Sequence, residues 1–329
     1  MKLMVAEAEA LVLRALSASG VTSENAVPVA RALVAAEAAG QSGHGLRRVP
    51  AYAAQAVAGK VDGKATPIAS ATRPGVLRID AANGFAYPAL DLAVEKLPDM
   101  ARRQGIALAG LYRSHHAGVM ALTVERFAEQ GLVALMFANA PASMAPWGGR
   151  KPLYGTNPIA FAVPIAGEDP IVIDLALSKV ARGKIMAATQ KNEPIPADWA
   201  FDVDGNSTTD AHRGLAGTMA PMGDAKGAAL ALMVEILSAG LIDANYAYES
   251  SSLFDDKGPP VGLGQTIIAI DPDATGEHTV ERLKGLAGEL SAQEGVRIPG
   301  RRGQSLRRQA YETGLDIEDD VVKAVEALA

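Results

Sequence analysis

GVLRIDAANGFAYPALDLAVEKLPDMARRQGIALAGLYRSHHAGVMALTVERFAEQGLVALMFAN, residues 75–139, decides the fold class because its hydrophobic period switches repeatedly. Val76, Leu77 and Ile79 predict a strand, Ala86 to Arg103 a helix, and Gly105 to Tyr112 a buried strand. A second helix is expected from about Gly118 to Gln130, then an apolar strand from Leu132 to Asn139. Strands alternating with helices predict an α/β core with a largely parallel or mixed sheet.

On the N-terminal side the first sixty residues read as helical. Leu11, Leu13 and Leu16 form a stripe that stops at Gly20. Thr22 or Ser23 then caps a helix to about Gly40, with Pro28 in its first turns. Gln41 to Arg48 (QSGHGLRR) is a polar, Gly-rich turn, and another helix runs from Pro50 to about Val57. On the C-terminal side, strands are expected at Ile159–Val163, Ile171–Leu175 and Gln265–Ile270, with a polar excursion over Glu193–Arg213. Asp224 caps a helix over Ala225–Ala239, and further helices lie near Thr279–Glu294, Gln304–Glu312 and Asp316–Leu328. No internal repeat or low-complexity tract is present.

The 329 residues include no cysteine, which excludes a disulfide framework, a thiolate nucleophile and cysteine-ligated metal. Thirty-one Lys plus Arg against 37 Asp plus Glu give a net charge of −6, which argues against coating nucleic acid or an anionic membrane. At 49% hydrophobic and 21% charged the chain is that of an ordinary globular protein. Glu7 and Glu9 make the start an amphipathic helix rather than a signal sequence, and Ala228–Ile242 is too short to span a bilayer. A cytoplasmic protein of two or three domains is the expectation.

Histidine is the first place to look for chemistry, because it titrates near neutral pH. His212 and His278 sit in polar contexts without local partners and read as surface residues. His44 lies between Gly43 and Gly45, with Ser42 before it and Arg47 and Arg48 after. An acid–base imidazole beside a guanidinium suits a substrate with a carboxylate next to a reducible carbonyl; a capped polar turn is the bland alternative. His115 and His116 follow a strand, where α/β proteins place ligands, and a cofactor or substrate contact suits them better than metal. No GxGxxG links a strand to a helix, and no P-loop serine or threonine follows Gly183-Lys184. PMGDAKGAA (221–229) is a helix start that could meet phosphate or merely pack closely. IPGRRGQSLRR (298–308) is a basic cluster whose arginines could meet cofactor phosphates or simply form a solvated face.

Seven motifs in order then give the chain a family resemblance. GHGLRRVPAY, RSHHAG, APWGGRKPLYGTNPIAFAVP, IVIDLALSKVARGKI, IPADWAFDVDGNSTTD, PMGDAKGAALALMVEIL and IPGRR resemble the type 2 malate/L-lactate dehydrogenase family across nearly the whole length. That family is non-Rossmann and contains NAD(P)-dependent reductases of 2-oxo acids and of cyclic 2-imino acids. The resemblance implies a mixed-sheet α/β fold with a helical N-terminal segment, a homodimer, and a small anionic 2-oxo or 2-imino acid as substrate. It matches His44 to the proton donor and Arg48 to the residue gripping the carboxylate, with Thr156 and His116 at the substrate. His116, Ala117, Gly118, Val119 and Met120, then Ile173, Asp174 and Leu175, then Ala225 and Lys226, are expected to line the nicotinamide dinucleotide. Arg301 is expected at the same cofactor, and no residue separates NAD(H) from NADP(H).

Two positions depart from the family pattern. Gly43 stands where a serine usually precedes the histidine, leaving Ser42 as the displaced candidate. Lys184 stands near a position that is acidic in the imino-acid reductases; a cation there suits a developing alkoxide rather than an iminium. Ser42 and Lys184 are therefore counted with His44 as catalytic candidates, and Arg47 with Arg48 as anion binders. APWGG and SKVARGK look most like the sulfolactate-type branch, with the cyclic imine reductases as the alternative. A metal-dependent hydrolase using His44, His115 and His116, or a non-catalytic dinucleotide-binding protein, are the remote alternatives. The expected division is 1–60 as a helical substrate-site domain, 61–120 with 297–329 as an α/β domain, and 121–296 as a cofactor-binding domain.

Overall fold

Residues 75–139 supply three strands of a seven-stranded sheet, and a computed structural model describing residues 1–329 shows what is inserted between them. The strand order is Ile68–Arg73, Val76–Asp80, Ile106–Ser114, Leu263–Ile270, Val133–Ala138, Ile159–Ile165, Glu168–Leu175. The sheet is mixed, but only Val76–Asp80 and Ile106–Ser114 run parallel. Every other neighbouring pair is antiparallel.

The mostly antiparallel pairing has a clear origin. Leu263–Ile270, from late in the chain, enters between the second and third strands of the opening stretch and pairs Gln265 with both Leu111 and Ala138. It is nearly buried throughout, as expected of a central strand covered on both faces. Ile68–Arg73 is an edge strand, exposed at five of its six positions, and its small polar residues carry no hydrophobic period.

The helix Ala86–Gln104 buries ten residues and packs on the Ile106–Ser114 strand. The N-terminal helices Val5–Ala18 and Ser23–Ala38 pack on each other, and the second also meets Ala86–Gln104. The chain ends meet, because Lys2–Leu3 pairs with Leu315–Asp316. That pairing lays the last helix, Asp319–Glu326, against the first helix and beside the turn Leu46–Arg48.

One continuous core runs from Val5 through the sheet to Val325. A second, including Met144, Leu177, Ile185, Ala231 and Val234, gathers beneath the helix Ala225–Glu235. That helix stops short of Ala239, ending in a π-helical turn over Ile236–Gly240. The basic segment begins its helix at Arg301, earlier than expected, after Gly300 adopts φ 91°. No helix is long and apolar enough to cross a membrane.

Candidate active site

The Gly-rich stretch between two helices folds into successive 3-10 turns, Ser42–His44 and Leu46–Arg48. Leu46 and Val49 are fully buried, each contributing roughly 1.5–3 kcal/mol of burial that pins the turns to the core. Glu37 accepts the Leu46 N–H at 3.0 Å, and its carboxylate occupies the space that a side chain on Gly45 would need. Burial raises the Glu37 pKa above its ordinary value.

His44 ends the first turn and stacks on His116, with ring centroids 5.2 Å apart and planes inclined by 20°. The Tyr52 hydroxyl lies 2.7 Å from Nδ1 of His116 and 3.4 Å from the Tyr87 hydroxyl. Burial raises both phenol pKa values, so Tyr52 can donate to Nδ1 of a neutral His116. His115 lies behind, its Nε2 2.8 Å from Oε1 of Gln55. Desolvation, then the charge of Arg48, lowers His44 to about 4; the same two causes lead at His115, lowered to about 3, and at His116. All three rings are therefore neutral near pH 7. No group of three His, Asp or Glu side chains converges to hold a metal ion.

Nδ1 of His44 is buried without a hydrogen-bond partner, so Ser42, exposed at the start of the turn, does not take the place of the family serine. Arg48 donates from Nε to the Gly43 carbonyl at 2.9 Å and lies 4.7 Å from the centroid of the Phe254 ring. Its two terminal nitrogens meet no protein carboxylate. Arg47 instead pairs with Glu318 and approaches Asp320 at 4.0 Å, so its guanidinium is engaged at the start of the last helix. Lys184 is exposed on the helix Arg182–Lys191, without an ion-pair partner.

His116 to Met120 turns from strand to helix. Gly118 has φ 67°, and a side chain there would strike the Tyr87 hydroxyl, so only glycine fits. Ala117 and Met120 face the core. Val119 and Asp174 instead line a cavity of about 920 Å³ together with the segment Val296–Gly303. That volume is within the range of small-molecule and cofactor clefts. Oδ2 of Asp174 accepts the Ala121 N–H at 2.8 Å. The carboxylate keeps solvent contact, but the concave wall around it raises its pKa to about 6 by desolvation. Ile173 and Leu175 beside it are exposed although apolar, a surface against which a flat ring could lie.

Four arginines line that cavity, and two are already engaged. Arg301 pairs with Glu168 at 2.8 Å and Asp169 at 3.2 Å, and Arg307 pairs with Glu125 at 2.5 Å. Arg297 and Arg302 have no carboxylate partner and remain available to an anion. The resemblance names Arg301 at the cofactor; its ion pairs show that its neighbour is the free one.

Thr156 is half-buried, and its carbonyl accepts the Leu177 N–H at 2.8 Å. The next residue, Asn157, has φ 38° and donates to Ala231 O at 2.9 Å and Glu235 Oε2 at 2.7 Å. Glu235 also receives Asn139 and the Ala247 N–H, so this buried carboxylate ties the Thr156 loop to the helix Ala225–Glu235. Ala225 and Lys226 are exposed at that helix's start, after Asp224 at φ 57°, ψ −125°, a conformation few non-glycine residues adopt. Gln55, Glu37, Arg297 and Phe254 lie outside every motif, and Tyr52 and Glu235 lie within motifs that assign them no role; all six act through partners distant in sequence.

Residues 3–326 match the sequence profile of a family described as malate/L-lactate dehydrogenase. The chain is 47% identical over 323 residues to a (2R)-3-sulfolactate dehydrogenase (NADP(+)) of Chromohalobacter salexigens, covering 98% of this chain and 96% of that one. It is 41% identical over 295 residues to a Δ1-pyrroline-2-carboxylate/Δ1-piperideine-2-carboxylate reductase of Pseudomonas putida, covering 88% and 85%. Among solved structures, a Δ1-piperideine-2-carboxylate reductase from Pseudomonas syringae pv. tomato superposes with a TM-score of 0.93, 37% identity and full coverage of both chains.

Proposed function

The chain belongs to the malate/L-lactate dehydrogenase family, and from that premise we propose that it interconverts a 2-oxo acid and a 2-hydroxy acid using NADP(H). One observation carries the proposal: Arg48 presents terminal nitrogens that no protein carboxylate occupies, close enough to His44 for its charge to act on that ring. The dinucleotide, when bound, supplies or accepts the hydride at C2 of the acid.

Arg48 grips the substrate carboxylate through its planar edge. His44 gives a proton to the carbonyl oxygen in reduction and takes the hydroxyl proton in oxidation. Nε2 is the atom left for this exchange, since Nδ1 is buried and unpaired. A general acid of this kind contributes about 100- to 10,000-fold in rate. The low pKa of His44 favours the base role in the free protein. A carboxylate on Arg48 offsets one of the two causes of that lowering, so substrate arrival favours the protonated ring. With no hydroxyl behind it, His44 is oriented by its stack on His116, which Tyr52 holds in turn.

Thr156 lines the substrate pocket in this reading. Lys184 enters this reading only if its exposed side chain reaches the substrate, where a cation suits a carbonyl over an iminium. Arg297 and Arg302 are the groups that could meet a 2′-phosphate, which supports NADP(H) over NAD(H). Val119 and the backbone of the His116–Met120 turn, Ile173 to Leu175, and Ala225 with Lys226 complete the cofactor wall in this reading; the side chains of Ala117 and Met120, turned to the core, do not.

The relatives' names keep a second reading in play, reduction of a cyclic 2-imino acid. Oxidation of NADPH and NADH against pyruvate, oxaloacetate, sulfopyruvate, ketopantoate and the cyclic imines of proline and pipecolate separates them. Imines reacting far faster than every oxo acid overturn the carbonyl reading; no turnover with any of them overturns both.

A homodimer acting in the cytoplasm belongs to the same proposal. Leu230, Leu232, Met233 and Ile236 are exposed along the Ala225–Gly240 helical stretch, an apolar face that a second copy would cover. Sedimentation equilibrium giving a monomer at micromolar concentration would remove the dimer.

A further inference from the structure

Between the π-helical turn and the inserted central strand runs an irregular excursion, residues 241–262, that carries no motif. Its middle is nonetheless fixed by an unusual device. Lys60 is only 2% exposed, and its ammonium donates to the carbonyls of Ser252 at 2.6 Å, Lys257 at 2.7 Å and Asp255 at 3.0 Å. Three N–H groups thus meet three carbonyls, and the Asp255 carboxylate at 3.5 Å pairs the charge, the conditions under which a buried ammonium is tolerated. Gln55 adds a second tie, donating to the same Asp255 carbonyl at 3.0 Å.

Phe254 lies inside this cage. Its N–H donates to the Ser252 hydroxyl at 3.0 Å, and its ring covers the Arg48 guanidinium. Arg48 caps the start of the helix Val49–Val57, while Gln55 and Lys60 come from that helix's end and the turn after it. One short segment therefore carries both the guanidinium and the anchors of the loop that covers it.

Resting on the reading of Arg48 as the carboxylate grip, we infer that Phe254 sets the orientation of its binding edge and that Lys60, by caging the Ser252–Lys257 loop, is a positioning residue acting through Phe254. The ring occupies one face of the guanidinium and the Gly43 carbonyl takes Nε, which leaves the two terminal nitrogens as the open edge. An aromatic cover also removes water from one side of the ion pair, strengthening it.

Oxalate, a planar unreactive carboxylate, tests this by calorimetry on the full chain. Phe254→Ala is expected to weaken oxalate binding about 3- to 10-fold, as for a cation–π contact made by a residue that is 43% exposed, and Phe254→Tyr to retain it. NADPH affinity should stay within about twofold in both. Lys60→Met should match Phe254→Ala, and the double variant should be no weaker than Lys60→Met alone. Should Lys60→Met fail to fold, Ser252→Ala keeps the cage but frees the Phe254 N–H, and a two- to fivefold loss is expected. Wild-type oxalate affinity in Phe254→Ala, while Arg48→Met loses it, overturns the inference and leaves the functional reading standing. Multiplicative effects in the double variant overturn the role of Lys60. Oxalate affinity unchanged in Arg48→Met removes the carboxylate grip itself. Absent turnover on every oxo and imino acid, with the oxalate arms as expected, fails the functional reading alone.

Discussion

Two of the chain's four tandem arginine pairs, Arg47–Arg48 and Arg301–Arg302, have met the same fate in different surroundings. In each the first arginine is engaged by carboxylates, Arg47 by Glu318 and Asp320, Arg301 by Glu168 and Asp169. In each the second has no carboxylate partner. The surroundings then separate them. Arg48 lies over an aromatic ring, beside three histidines whose charge is suppressed by burial, where an ion pair is strong. Arg302 faces an open cavity and solvent, where a similar charge is worth less. In these two pairs one arginine is structural and one available, whereas Arg307 and Arg308 are both held by carboxylates; burial decides how much an available one can do.

The most severe way to break the first region is His44→Ala. Turnover is expected to fall about 100- to 10,000-fold with cofactor binding intact; near-wild-type turnover removes His44 from the chemistry. Next, Arg48→Lys should raise the substrate KM about 10- to 100-fold, because the planar fork is lost. Arg47→Lys should change it less than about threefold, and equal effects would erase the distinction between the two arginines.

Acid should distinguish the regions through stability. His44 at about 4, His115 at about 3 and the lowered His116 all lie below the ordinary imidazole value. As pH falls below about 6.5 the unfolded chain binds protons that the folded one refuses, so their contribution is complete above that pH and lost on acidification. The cost is roughly 1.4 kcal/mol per histidine per pH unit until the folded pKa is reached. Glu37 and Asp174, raised by burial, act with the opposite sign. Urea unfolding of His115→Asn against wild type between pH 7 and 5 isolates one histidine; an unchanged slope would show that His115 is not held neutral. The smallest effect is expected in the second region. Arg302→Ala should lower the preference for NADPH over NADH about five- to tenfold, and Arg301→Ala less than about threefold, read from the ratio of kcat/KM values.

Much of the site was legible locally. His44 and Arg48 stand out because glycines flank an acid–base group within one helical turn of a guanidinium, a pattern complete within eight residues. Gly118 and the helix start at Ala225 are legible for the same reason. Lys60 was not, since nothing in AGKVDGK marks a lysine that meets three carbonyls nearly two hundred residues away. Glu235 is a lone carboxylate within the apolar run Ala228–Ile242, yet it anchors Asn157 beside Thr156. Ser42 was the natural stand-in for the missing serine, but the turn leaves its hydroxyl outside and Nδ1 of His44 unpaired.

Sequence by itself determined the α/β class, the positions of most helices, the polar turn that carries His44 and Arg48, and the family to which those motifs point. Each depends on residues within a few positions of one another, where period, caps and glycines act directly. Tertiary structure alone decided that Leu263–Ile270 splits the opening strands and makes the sheet mostly antiparallel. It also decided which arginine of each compared pair is free and which aromatic ring covers Arg48. Those outcomes rest on pairings between distant parts of the chain, such as Arg47 with Glu318 and Lys60 with Ser252, that no local pattern encodes.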